Sequence, residues 1–108
     1  MDCPYVWNAH APAARRAGVS DALIDALRER QPLPSMSADE AAIINYATEF
    51  FQTHKVSQKT FQAALDQFGA QHLTELTTLM GHYAQTAFIL NAFEVQLPEQ
   101  RSEPVLPV

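Results

Sequence analysis

The amino-acid sequence predicts an all-α protein, a compact bundle of about five helices whose last member is long. Glycine is scarce, with three in 108 residues at positions 18, 69 and 81, whereas a β protein would place many at its turns. Ala, Leu, Gln and Glu fill the long stretches in between. Near the C-terminal end, Leu73, Leu76, Met80, Tyr83, Ala87 and Leu90 follow one another at steps of three and four, the spacing of one seam on a helix.

The first segment, roughly Pro4 to Ala17, reads as a helix ended by Gly18, whose missing Cβ suits the left-handed position after a helix. Pro12 removes the amide that would bond the carbonyl of Asn8, which predicts a kink or a restart there. Ser20 caps a short second helix, about Asp21 to Arg30, and Val19 is placed to staple onto Ile24. Pro32 and Pro34 make a rigid loop after it. Ser37 with Glu40 forms a capping box, and apolar residues at 43, 46, 47, 50 and 51 then give the third helix a broad face. Val56 and Ser57 repeat the staple and cap, with Val56 facing Phe61, for a fourth helix ending at Gly69. The last helix runs from about Gln71 to Phe93, a length of about 34 Å. Residues 1–97 form a single helical domain on this reading, and the proline-punctuated tail, 98–108, is extended or disordered.

Composition narrows the function classes. Seven Lys and Arg against twelve Asp and Glu give a net charge of −5, the wrong sign for a protein that neutralises phosphates, so nucleic acid is not an expected partner. No apolar run approaches the roughly 18 residues of a membrane span, and MDCPYVWNAH lacks the basic segment and apolar core of a signal peptide. With one cysteine and no internal disulfide framework, a reducing, cytoplasmic location is the expectation. The stretch AFILNAF is apolar on nearly every side. Few helices are available to cover it, which predicts a buried subunit interface and a homo-oligomer.

Nucleotide-binding glycine loops, the G-x-S-x-G elbow, H-E-x-x-H and C-x-x-C are all missing. The histidines at 10, 54, 72 and 82 lack the spacing of a metal site, so no metal and no cofactor are expected. His54 and His72 read as surface residues at helix ends. His10 stands three residues after Trp7 and four before Ala14, on one helical face. An imidazole there serves either as a general acid or base or as a packing histidine bonded to a backbone carbonyl. Arg15, Arg16, His82 and Tyr83 are the local groups able to stabilise a developing anion. Each also has a plainer role: Arg15 and Arg16 suit the C-terminal end of a helix dipole, and Tyr83 belongs to the seam. Gly81, inside the last helix, points to close approach of another helix or a ligand. Cys3 reads as a free thiol at a helix N-terminus.

The run Tyr5-x-Trp7-x-x-His10-x-x-x-Ala14-x-x-x-Gly18-Val19-Ser20, followed by ATEFF and KVSQKTFQAALDQFGAQHLTELTTLMGHYAQTAFILNAFEV, resembles the carboxymuconolactone decarboxylase and alkylhydroperoxidase-D-like family. The resemblance covers about Tyr5 to Pro98. It implies a cofactor-free lyase acting on a small carboxylated lactone or related cyclic acid. His10 would be the proton shuttle, Trp7, Tyr83, His82 and Arg15 would bind the substrate, and the assembly would be a trimer or hexamer. In the peroxidase branch of that family two cysteines precede the histidine by seven and four residues, where this chain has Cys3 and Val6. Without the nearer thiol, dithiol cycling at Cys3 is disfavoured. The family's upstream helix is also absent, which implies a shortened or truncated member. The alternative is a non-catalytic helical oligomer that keeps the packing without the chemistry.

Overall fold

The computed structural model describes all residues, Met1–Val108, and is all-helical without strands. The elements are α1 (Pro4–Arg16), α2 (Asp21–Glu29), α3 (Ala38–Thr53) and α4 (Gln58–Ala92). The fourth and last predicted helices lie within α4 and are separated by a break in the helical backbone. Within α4 the backbone at Gly69 leaves the helical region, with φ 74° and ψ 168°. That conformation is essentially closed to residues with a Cβ. Glycine therefore marks the break where the sequence placed a helix end, yet the chain resumes its helix at once.

The chain divides into two compact units, one made of Met36–His82 and the other of Met1–Ser35 with Tyr83–Val108. In the Met36–His82 unit, α3 and the front of α4 share an apolar cluster centred on Tyr46, Ala64 and Leu73, with Ile43, Val56, Leu65, Phe68 and Met80 packed around it. Tyr46 is buried, but its hydroxyl shares a 3.0 Å hydrogen bond with Thr77 Oγ1, which satisfies the polar end of an otherwise apolar side chain. The start of α3 follows the sequence reading, since the Ser37 amide donates to Glu40 Oε1 at 3.2 Å. The Ser37 hydroxyl also donates to Asp39, and this holds the Asp39 carboxyl below its ordinary range. At the next turn Ser57 Oγ accepts from the Thr60 amide at 3.3 Å. Glu49 reaches over from α3 to take the Ser57 amide. Hydrogen bonds from Thr60 and then Ser57 lower the affinity of Glu49 for protons. The broad face expected on α3 is buried only in part, because Phe50 and Phe51 remain exposed.

In the other unit, α1 continues through Pro12 with no stop or restart. One missing amide deprives only the Asn8 carbonyl, and the flanking bonds carry the helix. Its end is a complete Schellman turn: Gly18 has φ 96°, its amide donates to the Arg15 carbonyl at 3.1 Å, and the Val19 amide donates to that of Ala14 at 3.1 Å. Two further turns of this kind use residues the sequence did not flag. Arg30 closes α2 with φ 55° and Glu94 closes α4 with φ 48°, each followed by the same pair of backbone bonds. Ser20 caps α2 as expected, accepting from the Leu23 amide at 3.2 Å. After the Glu94 turn the chain runs on as a non-helical tail in which Glu103 and Leu106 are buried.

Candidate functional site

His10 projects from α1 as an exposed residue. Its ring stands edge-on to that of Tyr83, with centroids 4.8 Å apart and planes at 78°, the favoured geometry for two π systems of this kind. The fold thus brings together two residues that the sequence singled out separately. Tyr83 is half-buried on the seam, as its spacing predicted. Trp7, one helical turn before His10, is half-buried, and its indole Nε1 is shut away from solvent with no hydrogen-bond partner. A buried donor in that state favours any acceptor that can reach it.

Arg15 lies elsewhere in chemical terms. Its Nε and Nη2 bond the two oxygens of Glu103 at 2.9 and 3.0 Å, while Nη1 reaches Asp21 at 2.5 Å and Nη2 also reaches Asp25 at 3.3 Å. Glu103, then Asp21, hold the guanidinium even more firmly in its charged form. Every nitrogen of the fork is engaged, so Arg15 is not a solvated helix-end residue. Sequence reasoning missed Glu103 because nothing local links it to Arg15. The one available signal was an acid at the head of a proline-punctuated apolar stretch, E-P-V-L-P.

Cys3 is buried at the N-cap of α1, where its carbonyl accepts from the Trp7 amide at 3.0 Å. His82 is exposed and falls in the Met36–His82 unit, while Tyr83, the next residue, begins the other stretch of α4. His54 and His72 are exposed, and His54 closes α3 with φ 62°. No group of three or more His, Cys, Asp or Glu is gathered to hold a metal ion. No helix is long and apolar enough to cross a membrane.

Two cavities accompany these residues. A groove of about 770 Å³ is lined by Asp2, Tyr5, Leu90, Asn91 and Arg101 among others. A smaller one of about 260 Å³ in the Met36–His82 unit is lined by Tyr46, Phe61, Leu73, Thr74 and Thr77 among others. His10 lines neither. What the His10 face offers is an accessible imidazole beside aromatic surface that a flat or cyclic ligand would cover. No family model, curated protein or solved structure matches this chain.

Proposed function

We propose that the chain is a cofactor-free lyase of the carboxymuconolactone decarboxylase type, working as a homo-oligomer on a small carboxylated lactone or related cyclic acid. The observation that supports it is the accessible His10 imidazole set against Tyr83. Loss of CO₂ breaks a carbon–carbon bond and leaves its electron pair on the ring as an enolate. His10, protonated, returns a proton to that carbon and recovers one from water for the next cycle. Trp7 and Tyr83 supply the surface on which the ring rests. The test is turnover of a panel of carboxylated lactones and hydroperoxides by the full chain and by His10→Ala. Lactone turnover should fall about 100-fold or more in the variant, and turnover that survives unchanged would remove His10 from the mechanism.

A second reading, a helical oligomer without chemistry, is favoured by a different observation. Phe88 is 67% exposed, Ile89 49% and Phe93 78%, a concentration of apolar surface that marks an interaction site in soluble proteins. Both readings require self-association, which light scattering on a sizing column measures. Phe88→Glu or Ile89→Glu should lower the assembled mass, and a native chain that runs as a 12.0 kDa monomer would remove the oligomer from both.

A further inference from the structure

Glu103 is the most enclosed acid in the chain, with its side chain only 6% exposed. It sits on the Nε and Nη2 edge of Arg15 with two parallel hydrogen bonds, the arrangement in which a guanidinium recognises any carboxylate. Three residues on, Leu106 is buried as well, whereas Pro104, Val105, Pro107 and Val108 are exposed. The tail is therefore held at two points, one ionic and one apolar. It is joined to α4 through the Glu94 turn and a non-helical stretch containing Pro98.

The charges around Arg15 do not favour a tight grip. Asp21 and Asp25 from α2 already occupy Nη1 and share Nη2, so Glu103 docks beside two other carboxylates that repel it. A carboxylate meeting this edge from solution would bind weakly. Glu103 succeeds because the chain tethers it, and a short tether raises its local concentration to the millimolar range. Weak intrinsic affinity combined with a tether is the condition under which an outside competitor displaces an internal ligand.

We propose that the Nε–Nη2 edge of Arg15 is a binding site for small carboxylate anions, and that the C-terminal strap closes it with its own Glu103. When such an anion takes the edge, Glu103 and then Leu106 leave and the strap opens. This inference concerns binding alone and stands whether or not His10 moves a proton.

Acetate is the probe, read on the full-length chain through the Arg15 Nε–H resonance. In the native chain acetate should shift this resonance only at high concentration, and in Glu103→Ala it should bind at least about tenfold more tightly, because the tethered competitor is gone. Glu103→Gln keeps the side-chain volume and should give the same direction if the alanine variant folds poorly. Trypsin supplies a second readout, since it cuts after the exposed Arg101 and frees the strap's end. About 200 mM acetate should speed that cut several-fold over the same concentration of chloride, and only while Glu103 is present. Equal acetate binding in native and variant chains would overturn the proposal, as would an Arg15 resonance that acetate does not move in either variant. Cleavage indifferent to acetate would overturn the opening of the strap.

Discussion

The two units are held by different physics. In Met36–His82 the contacts that matter are apolar: Tyr46, Ala64 and Leu73 exclude water from a common cluster, and the one polar atom drawn into it, the Tyr46 hydroxyl, is satisfied by Thr77. In the unit of Met1–Ser35 and Tyr83–Val108, alanines and a few larger side chains are buried, and charged side chains tie distant segments together. Arg15 gathers Asp21, Asp25 and Glu103, Arg30 pairs with Asp2, and Asn91 bonds the Asp2 carbonyl at 2.7 Å. Apolar packing has no competitor in solution. An ion pair has many, and the proposed anion site at Arg15 belongs to the unit built on charge.

The largest effect that tests this contrast is Leu73→Ala. Leu73 is 3% exposed, and its truncation should cost about 2–5 kcal/mol of global stability in urea unfolding. Leu106→Ala, although 8% exposed in the native chain, should leave that urea midpoint nearly unchanged while accelerating hydrogen exchange of the tail. A global loss as large as that of Leu73→Ala would make the strap part of the core and erase the difference between the units.

Gly69→Ala should come next, at about 1–3 kcal/mol. No atom lies within 4 Å of a Cβ built there, so the cost is purely conformational, and a neutral result would mean that the break in α4 relaxes freely. The smallest effect is that of acid. Asp39 and Glu49 both bind protons less readily in the folded chain than their ordinary values of 3.8 and 4.5 imply. Their contribution is therefore present above those values and is lost as pH falls through the lower folded ones. The urea midpoint should drop between about pH 5 and pH 3, and Asp39→Asn with Glu49→Gln should flatten the slope. An unchanged slope would mean that neither hydrogen-bonded turn steadies the Met36–His82 unit.

Much of the secondary structure was legible because its causes are local. Ser20, Ser37 and Ser57 stand where they cap, Gly18 sits where a left-handed turn is needed, and the 73–76–80–83–87–90 seam is buried or half-buried along its whole length. The ends of α2 and α4 fall within a residue of the expected Arg30 and Phe93, but the left-handed conformations of Arg30, His54 and Glu94 were not legible, because sequence assigns them to glycine or asparagine. Backbone bonds hold them there at some local cost, the Schellman pair at Arg30 and Glu94 and the single bond from the His54 amide to the Phe50 carbonyl. Among the candidate residues, His10 and Tyr83 were legible one by one but not as a pair. Arg15 was named, but its pairing with Glu103 was not legible.

The sequence alone determined that this chain is helical, where most helices start, and which side chains carry ionisable or aromatic chemistry, since capping, periodicity and composition act over a few residues. Only the tertiary structure decided that His10 meets Tyr83 and that Arg15 closes on the tail. Those outcomes depend on residues far apart in the chain, and no spacing rule reports which distant carboxylate or ring will arrive. The physical reason is that local structure is set by short-range sterics and hydrogen bonds, whereas pairing across the chain is settled only when burial and charge are satisfied together.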